Sequence, residues 1–293
     1  MIGEFVSQVG GEKINLTVLM PPEANPHTYE PAPQDAGTIA EADLVFYTGL
    51  LYEPAALVKL LENSACSTDI LSEVGESVFP IEFKEGGHDD HDDEEGHDDE
   101  EGHDDEEGHD DHEGHNHGAY DPHFWFDPSR VAYAAEYIES RLIEFDPENE
   151  SSYKSSADSF VSELNDLTKQ VSELISTVPS QNRKLITTHE SLGYLEAKFG
   201  LEVLSTIIPS LNSANEISPS DLAGVIDVIE DNNVKVIFIE SEAPSVYSET
   251  IVAETGIKSV TGLYVETLKP GQSYSEFLIS NVTLITENLQ DTD

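Results

Sequence analysis

A long amphipathic stretch between Glu150 and Val178 constrains the fold more than any other feature of the chain. Its apolar residues recur at spacings of three and four, which is the period of a helix with one buried face. They are Tyr153, Ala157, Phe160, Val161, Leu164, Leu167, Val171, Leu174, Ile175 and Val178. A helix of roughly 28 residues is about 42 Å long. Its position in the middle of the chain favours two lobes joined by this helix.

Short apolar runs alternate with helical patterns on both sides of the long helix. The first half predicts strands at 14–20 and 44–49 and helices at 36–42 and 54–61. The second half predicts strands at 185–188, 202–208 and 235–240, an extended segment at 258–265 and helices at 219–232, 245–255 and 274–289. This alternation argues for mostly parallel sheets flanked by helices. We therefore predict an α/β protein with an N-terminal lobe at 1–148, a linking helix at 149–178 and a C-terminal lobe at 179–293.

Charge and cysteine content exclude several classes of partner and bond. The chain has 60 Asp and Glu against 13 Lys and Arg, a formal net charge of −47, which speaks against nucleic acid and anionic membranes as partners. Cys66 is the only cysteine, so no intramolecular disulfide can form. No apolar run approaches the length of a transmembrane helix. Residues 1–5 already have the pattern of a helix, and we expect a leader to be missing ahead of them.

A low-complexity run at 86–118 holds 17 Asp and Glu and eight of the 11 histidines, but no Lys or Arg. Like charges and the lack of apolar residues cannot sustain a core, so we predict that this loop is disordered. Two interpretations stay open. The run is either a low-affinity antenna that concentrates zinc or a solvated acidic tether.

Three histidines lie outside that run, and each occupies a segment punctuated by Pro or Gly. The segments are Pro26-His27-Thr28-Tyr29-Glu30-Pro31, Asp121-Pro122-His123-Phe124-Trp125 and Thr188-His189-Glu190-Ser191-Leu192-Gly193-Tyr194. A single loop histidine is more simply a hydrogen-bonding residue, but three together favour a metal site. Ligands of open parallel sheets bind beyond the carboxyl ends of strands, where we expect His27 and His189 to lie.

A zinc site of this kind needs a fourth ligand. Glu266 follows an apolar extended run and is our choice, with Glu240 at the end of the strand at 235–240 in reserve. Three histidines with an open position also suit a zinc-dependent hydrolase. The chain has no HExxH-type spacing, which argues against that alternative. An adhesin or an extracellular metal buffer is a further alternative.

The three histidine motifs, taken together, resemble those of the zinc/manganese solute-binding proteins of ABC importers, the cluster A-I family, and within it the zinc-uptake type. The segments Ala42-Asp43-Leu44-Val45-Phe46 and Val236-Ile237-Phe238-Ile239-Glu240 are similar to its lobe-core strands, and the run at 86–118 is similar to the His- and acid-rich loop of zinc members. The resemblance covers nearly the whole chain.

This resemblance implies two lobes on one rigid helix, with a metal in the cleft between them. His27 and His123 would come from the first lobe, and His189 and Glu266 from the second. Manganese members carry a carboxylate where His189 stands, so zinc is the expected ion and manganese the alternative. The fourth ligand of many members is an aspartate, where this chain has Glu266.

The implied role is metal capture without catalysis. We expect an extracytoplasmic receptor, either periplasmic or held at the cell surface through the missing leader, that delivers zinc to an ABC permease and its ATPase. We also expect a monomer. Because only neutral histidine binds metal, affinity should fall as the pH drops below about 6.5.

Overall fold

The computed structural model describes residues 1–22, 24–83, 120–208, 218–242 and 247–290. Within them the α/β prediction is confirmed, because two parallel sheets are flanked by helices. The predicted disordered loop at 86–118 lies outside the described residues.

The first half builds a small parallel sheet. Strand β1 (Val45–Tyr47) pairs in parallel with β2 (Leu71–Glu73). The helices before residue 84 are α1 (Ile2–Gly10), α2 (Asp35–Ala40) and α3 (Ala55–Ser64). Helix α4 (Pro128–Phe145) follows after residue 120. Asp127 caps it by accepting the backbone N–H of Ser129, and proline occupies the first helical position, where no N–H is needed.

The predicted long helix is α5, Glu150–Ser176. Seven residues of its predicted apolar stripe are buried, and the stripe packs against α1, α4 and the C-terminal helix α9 (Tyr274–Gln290). The helix therefore contacts elements from both halves of the chain along one face.

The second half forms a four-stranded parallel sheet. Its strands are β3 (Lys184–Thr187), β4 (Glu202–Thr206), β5 (Val236–Glu240) and β6 (Lys258–Leu263), in the spatial order β4-β3-β5-β6. The connecting helices are α6 (Gly193–Phe199), α7 (Pro219–Asn232) and α8 (Ser248–Thr255). All five residues of β5 are buried, which explains its unbroken apolar run before the terminal glutamate. Because the strands are parallel and β5 lies between β3 and β6, its carboxyl end lies between theirs.

The predicted strand at 14–20 is wrong. This segment pairs with no strand in the described part of the chain, and the side chains of Leu16 and Val18 are 40% and 58% exposed. Ile14 and Val18 instead approach Gly10 and Gly3 of α1, where an added Cβ would lie only 2.3 and 2.8 Å from them. The segment has the apolar and β-branched residues of a strand. Its side chains pack on the glycines of α1, however, and a helix provides no backbone hydrogen bonds to a strand.

The largest cluster of buried apolar residues joins the two halves. It contains residues of α1, α4, α5, α9 and the second sheet. The domain boundaries at 148 and 178 stay a prediction. Among the described residues, no helix combines the length and the apolar character needed to cross a bilayer.

Candidate metal centre

Four side chains from distant parts of the sequence converge at one point. His27, His123, His189 and Glu266 each offer a ligand atom, and these atoms lie within 4.8 Å of one another. The Oε1 atom of Glu266 is 3.0, 3.3 and 3.1 Å from the Nε2 atoms of the three histidines, in chain order. Each of the four side chains is at least nine-tenths buried. The four candidate residues from the sequence are therefore brought together, with every imidazole presenting the same ring nitrogen.

His189 follows the end of β3, as the sequence predicts. Its Nδ1 atom lies 2.5 Å from Oε2 of Glu240, the last residue of β5. The other oxygen of Glu240 accepts the backbone N–H of His189 and the hydroxyl of Ser191. Glu240, our reserve ligand, thus lies behind the His189 ring and outside the four converging groups.

His123 is held by the acid two residues before it. Oδ1 of Asp121 accepts the backbone N–H of His123 at 2.8 Å and lies 2.7 Å from its Nδ1. The opposite oxygen packs against Gly193, where an added Cβ would be 2.6 Å from Oδ2. Glycine at that position therefore lets α6 approach the carboxylate closely.

Trp125 connects the His123 segment to the loop that carries Glu266. Its indole N–H donates to the backbone carbonyl of Val265 at 2.7 Å. The Tyr274 hydroxyl donates in turn to the backbone carbonyl of Trp125 at 2.6 Å. Both aromatic side chains are completely buried, so these hydrogen bonds fix the first-half ligand relative to the second half.

His27 lies in the short 3₁₀ turn Pro26–Thr28. No strand of the described residues leads into this turn, so its expected place at a strand end is wrong. The side chain of Asn25 accepts the His27 backbone N–H at 2.9 Å, and the Tyr52 ring contacts the imidazole edge-on. The buried Nδ1 atom of His27 has no hydrogen-bond partner within the described ranges.

Glu266 follows β6 in a loop that is held by another acid. The Glu242 carboxylate accepts backbone N–H groups from Val265, Glu266 and Thr267 at 3.2–3.3 Å. Tyr52 donates to the backbone carbonyl of Glu266 at 3.4 Å. The second oxygen of Glu266, Oε2, is buried and has no hydrogen-bond partner in the part of the chain that the structure describes. A buried carboxylate oxygen of this kind is a ready ligand for a cation.

The carboxylates determine the protonation of the histidines. Burial lowers the pKa of His123, but Glu266 and Asp121 outweigh it and raise the pKa to about 9. Burial likewise lowers the pKa of His189, while Glu240 and Glu266 raise it to about 10. Burial raises the pKa of Glu266, but the neighbouring imidazoles His123 and His27 hold it well below its usual range. Protons on the rings therefore neutralise buried negative charge that a divalent cation would otherwise neutralise.

The sequence prediction missed the residues that hold the ligands. Asp121, Glu242 and Trp125 were not proposed for any role, although Asp121 lies only two residues before a predicted ligand. The one available signal for Glu242 was its position two residues after the end of a predicted strand.

Comparisons with known proteins agree with this geometry. Residues 1–288 match the family model described as ZnuA, zinc-uptake complex component A, periplasmic. A manganese ABC transporter substrate-binding lipoprotein of Streptococcus gordonii is 25% identical over 99% of this chain and 86% of its own length. The high-affinity zinc uptake system protein ZnuA of Bacillus subtilis is 28% identical over 98% of this chain and 84% of its own length.

The fold also matches solved structures. The periplasmic zinc-binding protein TroA from Treponema pallidum superposes with a TM-score of 0.79 at 21% identity, covering 99% of this chain and 96% of the other. A crystal structure of ZnuA superposes with a TM-score of 0.74 at 24% identity, covering 98% and 94%. At these identities the likeness establishes the two-lobed fold alone.

The family model covers almost the whole chain, and its description and the relatives' names describe extracytoplasmic receptors rather than enzymes. Such receptors work with the permease and ATPase subunits of an ABC importer. This chain belongs to the ZnuA family of metal-binding receptors of ABC importers.

Proposed function

We propose that this receptor captures Zn²⁺ with His27, His123, His189 and Glu266 and delivers it to a membrane permease. The observation that carries the proposal is the convergence of three Nε2 atoms on one carboxylate oxygen, in a buried site. Four ligands with nitrogen and oxygen donors match the usual requirement of zinc.

Zinc is favoured over manganese by the donor set. Imidazole suits zinc, whereas manganese prefers carboxylate and other oxygen donors. Three of the four converging groups are imidazoles, and Glu266 supplies the one carboxylate. The relatives include proteins named for either metal, so the ion must be decided by this chain's own ligands.

The partners follow from the family. We propose that the metal-bound form docks as a monomer on its permease, with an ATPase driving transport, and that it is held outside the cytoplasm as a lipoprotein or a periplasmic protein. The net charge of −47 disfavours nucleic acid as a partner.

The test is a metal analysis of the native protein combined with calorimetry of the metal-free protein. The native chain should carry zinc, and zinc should bind at one tight site in preference to manganese. His189→Glu, which replaces an imidazole with a carboxylate, should shift the preference towards manganese. His109→Glu makes the same chemical change outside the four converging residues and should not affect it. A native chain that prefers manganese would contradict the assignment.

A further inference from the structure

The acidic end of strand β5 contacts the segments of both ligands from the second half of the chain. Because the strand order is β4-β3-β5-β6, β5 lies between the strand that leads to His189 and the strand that leads to Glu266. Two acids lie at its end, Glu240 as the last strand residue and Glu242 two residues later. Each of them reaches towards a different neighbour.

Glu240 reaches towards the β3 side. One of its oxygens contacts Nδ1 of His189, and the other accepts the backbone N–H of the same residue. The ring plane and the peptide of His189 are therefore fixed by one carboxylate, which leaves Nε2 directed at the converging ligands. Glu240 is itself held, because its backbone N–H donates to the Thr188 hydroxyl.

Glu242 reaches towards the β6 side. One oxygen accepts the N–H of Val265, and the other accepts those of Glu266 and Thr267. Three successive peptides of the ligand loop are thereby bound to one side chain. Glu242 is not one of the four converging groups, so its contribution acts through the backbone of Glu266.

We propose that Glu240 and Glu242 are a pair of positioning residues at the end of β5 that set the metal preference, Glu240 by aligning the imidazole of His189 and Glu242 by aligning the carboxylate of Glu266. This inference rests on the proposed metal site. Groups that orient a ligand typically change metal affinity by about 10–100-fold when they are altered.

An amide replacement tests both residues. In each glutamate, both oxygens accept hydrogen bonds from N–H groups. An amide has one acceptor oxygen and one donor nitrogen. In Glu240→Gln and Glu242→Gln, the amide NH₂ group therefore faces an N–H group that previously donated to a carboxylate oxygen, with almost no change in side-chain shape. Glu202→Gln is the matched control, because Glu202 is an exposed acid of the same sheet at the start of β4.

The two variants should change metal selectivity in opposite directions. Glu240→Gln disturbs an imidazole ligand, so zinc affinity should fall by about 10–100-fold and manganese affinity by less. Glu242→Gln disturbs the oxygen ligand, so manganese should lose more than zinc. A purely structural role would weaken both metals together in both variants. Calorimetry with each metal on the full chain measures the ratio.

The outcomes separate this inference from the proposed function. If the unaltered chain binds neither metal, the proposed function fails. If it binds zinc, but both variants match Glu202→Gln or lower both affinities equally, the positioning roles are overturned. Should the amide variants not fold, Glu240→Asp and Glu242→Asp keep two acceptor oxygens on a shorter side chain and are expected to shift the ratio in the same two directions.

Discussion

The two halves of the molecule position their ligands by different means. In the second half, His189 follows β3 and Glu266 follows β6, and carboxylates at the end of β5, the strand between them, hold both segments. In the first half the sheet has two short strands among the described residues, and neither leads directly to a ligand. His27 lies in a 3₁₀ turn, and His123 precedes another.

The difference shows that a parallel sheet is not required to place a ligand accurately. His123 is fixed by Asp121 and, through Trp125, by hydrogen bonds to the second half. His27 alone lacks an acidic partner on its second ring nitrogen within the described chain, and its peptide is held by Asn25. Three ligands are therefore held by carboxylates, and we expect His27 to adjust most easily.

Removal of a ligand from each half gives the largest effects. His189→Ala and His27→Ala should each weaken zinc binding by more than about 100-fold. This exceeds the usual loss when a residue that only orients a ligand is altered. His189→Ala should also destabilise the metal-free protein by about 1–3 kcal/mol, because Glu240 is left buried without its ring partner. His27→Ala removes only one of the three imidazole contacts of Glu266, so it should destabilise the metal-free protein less. Zinc titration and urea unfolding of both variants measure the contrast, and equal stability losses would contradict it.

Lowering the pH should weaken zinc binding over a higher range than unperturbed histidines would give. The raised pKa values of about 9 for His123 and about 10 for His189 mean that zinc must displace both protons at neutral pH. Zinc affinity should therefore rise with pH until these pKa values are passed. Below both values, the loss of two protons per zinc gives a rise of about a hundredfold per pH unit.

The same two protons stabilise the metal-free protein fully below a pH of about 6.5, and that contribution is lost as the pH rises through 9 and 10. Calorimetry in buffers of different ionisation enthalpy counts the released protons. Release confined to the range around 6.5 would contradict the raised values.

Trp125→Phe removes one hydrogen bond between the halves, from the indole N–H to the Val265 carbonyl. The substitution leaves the buried carbonyl of Val265 without its donor and removes part of a fully buried side chain. We expect a loss of about 2–3 kcal/mol in the free energy of unfolding, together with weaker zinc binding because the Glu266 loop loses an anchor. Tyr133→Phe, in a partly exposed ring on α4, is the control and should have little effect on either quantity. Unchanged zinc affinity in Trp125→Phe would show that the connection supports the fold alone.

Deletion of 86–118 should have the smallest effect on the tight site. The three converging histidines lie outside this run, so the affinity of the first zinc should not change. If the run is an antenna, the deletion removes several weak zinc equivalents measured by calorimetry. If the stoichiometry stays at one before and after deletion, the acidic tether is the better interpretation.

The individual strands and helices of the second half were predicted well, because their signals are local. The apolar run of β5, the capping box of Ser218 and Asp221 at α7, and the stripe of α5 each have the period or end signal of their element. The segment at 14–20 failed because strand formation depends on a partner that the local pattern does not specify.

The four converging residues were chosen by motif and by resemblance, and the geometry supports the choice. The holding residues could not be assigned in the same way. That Glu240 turns to the β3 side and Glu242 to the β6 side depends on the strand order β4-β3-β5-β6, and chain order alone does not fix which strands are neighbours. Trp125 and Val265 are 140 residues apart in sequence, and no local pattern predicts a contact over that separation.

X-ray absorption spectroscopy of the full chain loaded with one equivalent of zinc identifies the ligands of the bound ion. We expect three imidazole nitrogens at roughly 2.0–2.1 Å and oxygen from one carboxylate. The signal of one imidazole should be lost in His123→Ala and kept in His109→Ala. A first zinc bound mainly by oxygen, or one whose spectrum changes with His109 and not with His123, would contradict capture by His27, His123, His189 and Glu266.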